Sequence, residues 1–330
     1  MPAPKGPTSL MGFMRMFPDE GACAAYLESV RWPDGFVCRF CLWTGEPYRF
    51  SSRPLVLRCP NCREDTSLTV DTVMQRTRTP LAAWFLAAYL VTTGTPGVSA
   101  LQLQRQLDLK RYETAFQILH KLRAVMVRPF RDRIGGPGKR VEVDETLVGG
   151  RTRGKGRGQH QKVSVIGAVE VKQLTNKRGK RTIHAGRLRL RMLPVSDGPS
   201  FKGFINDAIE PGGTVITDGA SMYRALPRYG HQQERHILRG DHDKADAGLP
   251  MVHIVFSNLK AWLLGTHHGV SKKHLPAYLN EFVFRFNRRA YPFSAFNGVL
   301  GLGFVAESPT YKSLYSGDWH HPSPNKDANA

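Results

Sequence analysis

Two pairs of cysteines constrain the fold more than any other feature of this 330-residue sequence. Cys38 and Cys41 form one Cys-x-x-Cys unit, and Cys59 and Cys62 form a second one after seventeen intervening residues. Each unit lets a tight turn present two thiolates, and the intervening residues can form the strands that bring the pairs together. Four thiolates complete a tetrahedral site, so the spacing predicts a structural Zn²⁺ in a zinc ribbon. Cys23 lacks a partner and is expected in the core.

The charge balance points to a polyanionic partner. Lys and Arg number 47 against 27 Asp and Glu, which gives a formal net charge of +20, and 41% of the residues are hydrophobic. A folded chain with such an excess of cations is expected to bind nucleic acid. The most apolar stretch, residues 81–91, is far shorter than the ~20 residues of a membrane-spanning helix. We therefore expect a cytoplasmic, nucleoid-associated protein with no membrane partner.

Residues 79–128 are predicted to form helices. Thr79 is expected to cap the first helix with Pro80 at its first position, Gly94 to end it, and Ser99 to cap the second. The third helix has an apolar stripe at helical spacing, which predicts a buried face. The stripe consists of Tyr112, Ala115, Phe116, Leu119, Leu122 and Met126.

The second and third helices together resemble a helix-turn-helix. Lys110, Arg111, Gln117 and Lys121 lie off the apolar stripe, where a recognition helix would contact DNA. An ordinary helical hairpin with a solvated polar face accounts for this stretch equally well. A second basic segment joins two strand candidates and alternates cations with glycine, which suits a flexible contact with phosphates. Its cations include Arg151, Arg153, Lys155 and Arg157.

The C-terminal half predicts a mixed α/β sheet. Three strand candidates follow one another at residues 139–148, 164–171 and 187–194. A helix, a buried strand at 213–218, a short helix, another strand and two helices around 251–264 and 271–290 come next. Three strands in a meander followed by alternating helices and strands is the order of an RNase H-like sheet.

Two aspartates in this half are candidate catalytic groups. Asp144 lies within the first strand candidate, and Asp218 ends a buried one, at the edge where open α/β sheets place their sites. On neighbouring strands the two carboxylates could bridge hard divalent cations. Taken without the fold, either residue is more often a turn residue at a strand end. Glu142 and Glu145 are expected on the opposite face of the strand from Asp144.

Taken together, these segments resemble the IS1595-family insertion-sequence transposases, of the ISXO2-like group, from about residue 17 to 289. The resemblance rests on the zinc ribbon and on four further blocks. These blocks are VEVDETLVGG, VITDGASMYRAL, SNLKAWLLGTHHGVSKKHL and YLNEFVFRFNRR. The resemblance implies an RNase H-like catalytic domain of the DDE type that uses two divalent ions, Mg²⁺ or Mn²⁺, to cleave and join DNA.

The resemblance also implies roles for single residues. Asp144 and Asp218 match the first and second catalytic aspartates, and Lys260 matches the family's lysine on the following helix. The third acidic position, often Glu in the family, is His253 here. The alternatives for the third metal ligand are Asn258 and three acidic residues of the preceding loop. These acidic residues are Asp241, Asp243 and Asp246.

Three further residues match the family's Glu-x₃-Arg-x₂-Arg pattern. Glu281, Arg285 and Arg288 have spacings of four and three, which put them on one face of a helix. They could support the acidic site or contact DNA phosphates. A plain intrahelical salt bridge explains the same pattern. His253 likewise has an alternative, as a histidine packed at a helix start.

The expected architecture is an RNase H-like catalytic domain preceded by a zinc ribbon and a helical DNA-binding region. The expected domains are 1–75 with the ribbon, 76–132 helical, 133–140 a linker, 141–290 catalytic and 291–330 a tail. The leading hypothesis is a transposase that binds the terminal repeats of an insertion sequence and its target DNA, as a homodimer or larger assembly. The alternatives are a catalytically inactive relative acting as a DNA-binding regulatory protein, and a zinc-ribbon transcription factor.

Overall fold

A computed structural model places most of the chain in two compact units. The ribbon unit comprises the described residues up to Met126 and those from Arg288 onward, and the sheet unit comprises Val127–Asn287. The described residues are 6–127, 131–149, 162–175, 179–193, 195, 197–236, 248–302, 310 and 312–313. Among them, no helix combines the length and apolarity that crossing a membrane would require.

The ribbon unit begins with two helices and a small antiparallel sheet. Asp19 caps the second helix, since its Oδ1 accepts a hydrogen bond of 2.8 Å from the Ala22 N–H. The strands have the order β1-β2-β3, and β1 and β2 lie between the two cysteine pairs. The elements are α1 Leu10–Met16, α2 Glu20–Arg31, β1 Tyr48–Phe50, β2 Arg53–Arg58 and β3 Asp65–Ser67.

Three helices follow, with a fourth from the C-terminal part of the chain. The caps at Ser99 and Gly94 are confirmed, because the Ser99 hydroxyl accepts from Gln102 N–H and Gly94 ends its helix. Residues 292–302 were expected in the tail, yet they form a helix whose Phe296 is fully buried among aromatic rings. The helices are α3 Leu81–Thr93, α4 Ala100–Gln106, α5 Tyr112–Val125 and, after the sheet unit, α9 Pro292–Leu302.

The start of α3 differs from the prediction. Pro80 occupies the N-cap position and no side chain of the helix's own segment caps it, so the expected Thr79 cap is wrong. The carboxylate of Glu20, on α2, accepts from the N–H groups of Leu81 and Ala82 at 2.7 and 3.1 Å. A negative charge from another helix thus satisfies the helix start, and local sequence gives no sign of it.

The predicted apolar stripe on α5 is mostly confirmed. Ala115, Phe116, Leu119 and Leu122 are buried, and so is Met126 at the helix end. The prediction was wrong for Tyr112, which is the first residue of α5 and is 43% exposed.

The sheet unit has a central five-stranded mixed sheet with the order β10-β9-β5-β6-β7. β6 is antiparallel to β5 and to β7, whereas β9 is parallel to β5 and β10 is parallel to β9. The predicted mixed α/β class is confirmed. The five strands are β5 Arg140–Val148, β6 Val163–Thr175, β7 Arg181–Leu193, β9 Thr214–Thr217 and β10 Gln232–Arg235, with a separate pair β4 Ile134–Gly135 and β8 Ile209–Glu210.

Helices cover both faces of this sheet. α6 and a 3₁₀ helix share one core with Val141 and Val143, and α7 and α8 share the other with Val148 and Val165. The helices are α6 Gly198–Ala208, the 3₁₀ helix Ser221–Tyr229, α7 Pro250–His267 and α8 Leu275–Asn287.

A glycine lets α7 approach the sheet closely. Gly167 of β6 pairs with Asp144 of β5. A Cβ at Gly167 would lie 2.7 Å from the ring of Phe256, on α7, so even alanine would push that helix away. The close approach is therefore at the level of Asp144.

Candidate functional site

The four predicted zinc ligands lie together in the ribbon unit. Their sulfur atoms all lie within 4.8 Å of one another, with 3.6 Å between Cys38 and Cys62 and 3.7 Å between Cys41 and Cys59. Cys23, by contrast, is fully buried away from this group, as expected. The donor set of four thiols at this spacing fits tetrahedral Zn²⁺ with no open position.

Matching turns position the two cysteine pairs. Leu42 N–H donates to the carbonyl of Cys38 and Arg63 N–H donates to that of Cys59, both at 3.0 Å. Leu42 and Arg63 have φ of +60° and +64°, the left-handed conformation that closes each turn. The side-chain amide of Asn61 donates to the sulfur of Cys41 at 3.5 Å and, together with the backbone of Trp43, lowers the pKa of that thiol. The thiolate, which is the form that binds metal, is thereby favoured.

Asp144 and His253 meet in the sheet unit. Asp144 lies within β5, and His253 lies in the first turn of α7. The His253 Nε2 is 3.0 Å from the Asp144 Oδ2, and the side chains are only 23% and 17% exposed. This contact fits both a metal site shared by the two side chains and a histidine packed at the helix start with a carboxylate as its hydrogen-bond partner.

Asp218 lies on the neighbouring strand at the same level. β9 is parallel to β5 with Ile216 paired to Glu142, so two residues further along the register Asp218 is level with Asp144. Asp218 follows the last residue of β9, and its Oδ1 accepts from the N–H of Ala220 at 2.9 Å. The two aspartates therefore lie at one edge of the sheet, where β9 ends.

Glu145 and Tyr223 lie beside the two aspartates. The pKa of Glu145 is raised to about 7, chiefly by burial and also by the charges of Asp144 and Asp218. The Tyr223 hydroxyl acts in the opposite direction. Tyr223 is fully buried, and burial together with the same three carboxylates raises the pKa of its hydroxyl. Four ionisable groups thus share one electrostatic neighbourhood. Sequence reasoning missed Tyr223, because nothing in the local sequence of the 3₁₀ helix distinguishes it from an ordinary core aromatic.

Glu142 does not have the expected orientation. It lies two residues from Asp144, and such residues share a face of a strand, so the expectation of an opposite face was wrong. Glu142 is 2% exposed, and its Oε2 accepts from the N–H of Val252, at the start of α7, at 2.8 Å. The carboxylate therefore caps the helix one residue before His253. Glu145, one residue from Asp144, packs with Tyr223 on the other face, as expected.

Lys260 lies further along α7, next to the end of β5. It lines a cleft of about 500 Å³ together with Leu147 and Gly149. Seven residues separate it from His253, so the two side chains share a face of the helix. Asn258 is exposed on another part of the helix surface. The loop acids Asp241, Asp243 and Asp246 lie outside the described residues.

The motif on α8 is only partly helical. Glu281 is fully buried and Arg285 approaches it, with 3.5 Å between Nη1 and Oε1. The Arg285 guanidinium also lies 5.9 Å from the ring centroid of Trp262 on α7. Arg288 follows the last residue of α8, so the expectation that all three share one helix face was wrong for it. Glu281 and Arg285 thus connect α8 with α7.

The predicted DNA-contacting residues of the ribbon unit differ in exposure. Lys110 and Arg111 are exposed just before α5, and Gln117 is half-buried. Lys121 is half-buried with its Nζ 5.8 Å from the Trp84 ring centroid, and burial lowers its pKa. Lys110 and Arg111 are therefore the most available of the four. Arg151, Arg153, Lys155 and Arg157 lie outside the described residues.

Family models match the two regions of the chain that contain these residues. A family model described as the ISXO2-like transposase domain matches residues 135–287, and one described as the transposase zinc-ribbon domain matches residues 18–65. No curated protein and no solved structure matched the chain. The protein is a transposase with a zinc-ribbon domain and a mixed α/β transposase domain. The matches to the transposase domain and to its zinc ribbon support an IS1595-family transposase.

Proposed function

We propose that the sheet unit is an RNase H-like, DDE-type catalytic domain that cleaves DNA at the ends of an insertion sequence and joins it to target DNA. The observation that carries this proposal is that Asp144, in β5, and Asp218, just past the end of the adjacent parallel strand β9, both lie within electrostatic reach of Glu145 and Tyr223. Numbered along the chain, the five strands of the sheet have the order 3-2-1-4-5, with only the second antiparallel to the rest. Transposase membership supports DNA as the substrate.

The donor set fits hard divalent cations. The charges of Asp144 and Asp218 each raise the pKa of Glu145, and a bound cation would offset this concentration of negative charge. The buried Oε1 of Glu145 also has no hydrogen-bond partner among the described residues. Asp144, Asp218 and His253 would hold Mg²⁺ or Mn²⁺. Bound ions would activate water or a DNA 3′-hydroxyl and stabilise charge on the reacting phosphate.

The protein's own residues would position this reaction. Glu142 holds the start of α7, so that His253 faces Asp144. Lys260 places a cation in the cleft at the end of β5, where it would contact a phosphate oxygen of the bound strand. Glu281 and Arg285 would keep α8 against α7.

The ribbon unit would recognise the DNA. We assign sequence-specific binding of the terminal repeats to the zinc ribbon and to the helix-turn-helix-like pair α4 and α5, with Lys110 and Arg111 nearest the duplex. Segment 151–162 would add contacts to phosphates without sequence preference. Holding two DNA ends together requires a dimer or a larger assembly, which we include in the proposal.

The test is a strand-nicking assay with the full chain, a duplex from the repeats that flank its gene, and Mg²⁺ or Mn²⁺. Asp144→Ala and Asp218→Ala should each abolish nicking while leaving DNA affinity unchanged. Asp197→Ala is the matched control, because Asp197 is an exposed cap of α6 in the same unit. Normal nicking by either active-site variant would overturn the assignment.

A second candidate function has one specific observation in its favour. The side chain at the third acidic position is a histidine, and it already contacts the Asp144 Oδ2. A relative in which the Asp144 carboxylate is paired with a histidine instead of a metal ion would bind DNA and regulate its use without cutting it. Binding without nicking in either metal would establish this candidate.

His253 itself is tested by two substitutions. Because imidazole accepts Mn²⁺ more readily than Mg²⁺, the wild type should prefer Mn²⁺ and His253→Glu should shift the preference toward Mg²⁺. Full activity of His253→Ala with both metals would remove His253 from the site and direct attention to Asn258.

A further inference from the structure

Two strands of the sheet unit continue beyond the central sheet. β6 pairs with β5 only as far as Val171, whose partner is Arg140. β6 and β7 remain paired to Thr175 and Arg181. Residues 172–175 and 181–184 therefore form a two-stranded ribbon flanked by no other strand among the described residues. We call this ribbon the β6–β7 arm.

A bulge anchors the base of the arm. The β6–β7 register shifts between Val169 and Val171, so Glu170 lies opposite both Gly186 and Arg187. Arg187 donates to Glu170 through Nε at 3.0 Å and Nη2 at 2.8 Å. A Cβ at Gly186 would lie 2.8 Å from the Cβ of Glu170, so at this point β6 and β7 approach each other as closely as glycine allows. Such bulges bend a strand and aim what lies beyond them.

Glu170 also ties the arm to the rest of the unit. Its Oε1 accepts from the N–H of Gly135, in β4, at 2.9 Å, and its Oε2 accepts from the N–H of Arg187. The carboxylate is 7% exposed and therefore receives donors from two separate segments. The arm thus leaves the sheet from a rigid base.

The arm is basic on a chain that is already strongly basic. Between Val171 and Arg187 the sequence contains no Asp or Glu. Lys172, Lys180 and Arg181 are exposed. The sequence adds Lys177 and Arg178, which lie outside the described residues. This charge suits a phosphate backbone and disfavours a second copy of a chain with net charge +20.

Both faces of the arm present side chains to solvent. Cross-strand partners share a face, so Lys172 lies with His184 on one face and Thr175 lies with Arg181 on the other. All four residues are exposed. A two-stranded ribbon fits the major groove of B-DNA, and cations on both of its faces would then meet the phosphates of both walls.

We propose that the β6–β7 arm binds duplex DNA in a groove, with Lys172 and Arg181 contacting phosphates on its two walls. The proposal rests on the proposed function in one respect, that DNA is the substrate. It adds an interaction surface to the residues assigned above. The arm is remote from Asp144 along the strands and is not part of the acidic site.

The register gives the distance between arm and acidic site. Gly167 pairs with Asp144, and Lys172 and Thr175 follow Gly167 on β6 by five and eight residues. At ~3.3 Å per residue these positions lie about 17 and 26 Å along the strand. Taking ~3.4 Å per base pair, a duplex lying along the strands would be contacted roughly five to eight base pairs from the reacting phosphate.

The first experiment measures DNA affinity of the full chain against salt concentration. Lys172→Ala with Arg181→Ala should lower the slope of log affinity against log salt by about two and weaken binding at 0.1 M salt about tenfold or more. Lys202→Ala with Arg228→Ala is the matched control, since both cations are exposed elsewhere in the sheet unit. A slope equal to that of the control would overturn the proposal.

The second experiment locates the arm on DNA. Lys172→Cys carries a photo-crosslinker on its thiol, and the buried Cys23 and the four clustered cysteines offer less accessible thiols. Crosslinks five to eight base pairs from the cleavage position are expected. Crosslinks only to a second protein copy would overturn the proposal in favour of self-association.

These readouts separate the arm from the proposed catalysis. Both measure binding, so they can be repeated in Asp144→Ala, which should not nick. If the Lys172 and Arg181 substitutions leave the salt slope unchanged while nicking still depends on Asp144, only the proposal for the arm is refuted. If these substitutions lower the salt slope as expected but nicking does not depend on Asp144, only the proposal for the acidic site is refuted.

Discussion

The ion pair between Glu170 and Arg187 should contribute more to the stability of the sheet unit than the more exposed pair between Glu234 and Arg140. Burial opposes the charge of the Glu170 carboxylate, but the Arg187 guanidinium and the N–H groups of Gly135 and Arg187 outweigh burial and lower its pKa from 4.5 to about 2. At about 1.4 kcal/mol for each pH unit, this corresponds to about 3 kcal/mol at neutral pH. Solvent around Arg187, which is 37% exposed, brings the expected value to about 2 to 3 kcal/mol.

Glu170→Gln is the perturbation, because it keeps the size of the side chain and removes its charge. Glu234→Gln is the matched control: Glu234 pairs with Arg140 in the same sheet, but both side chains are more than a third exposed. That pair should contribute no more than about 1 kcal/mol. Amide hydrogen exchange of the full chain, followed on peptides from β6 and β7, would measure both effects locally.

The pH dependence provides a second measurement. A lowered pKa stabilises the folded state above the ordinary pKa of 4.5, and the contribution disappears as pH falls from there through about 2. Protection of β6 and β7 in the wild type should fall over this window, and in Glu170→Gln this component should be missing. Equal effects of Glu170→Gln and Glu234→Gln, or an unchanged pH profile, would refute the reasoning.

Three further outcomes are expected. Metal analysis should find one zinc per chain, and a chelator should expose the amides of β1–β3 to exchange while β5 and β9 stay protected. Gly167→Ala should destabilise the sheet unit by about 1 to 3 kcal/mol in urea unfolding, because its Cβ would clash with Phe256. Lys110→Ala with Arg111→Ala should lower the salt slope of DNA binding by about two, and an unchanged slope would place recognition elsewhere.

Short-range patterns in the sequence predicted the cysteine cluster and several of the helices and strands. The Cys-x-x-Cys spacing predicted the cluster of four sulfurs, and the Ser99 cap and the apolar stripe predicted α4 and α5. Alternating apolar residues predicted β5, β6 and β7 in order. Each of these signals arises within one element or between neighbouring ones, so the sequence carries it directly.

The missed features depend on residues far apart in the chain. Glu20 caps α3 from another helix, and Glu142 caps α7 across 110 residues. The β-bulge brings Glu170 opposite Arg187, and only the register of the folded strands shows this. A charged residue within an apolar strand is visible in the sequence, but its partner is chosen by the tertiary fold.

The backbone of α7, rather than the side chain at position 253, determines where the proposed third ligand would lie. Glu142 fixes the start of the helix, and Gly167 lets Phe256 set its distance from the sheet. Neither contact involves the His253 imidazole. Histidine or glutamate at this position would therefore project toward Asp144 from the same point, and the choice between them would change metal preference without moving the site.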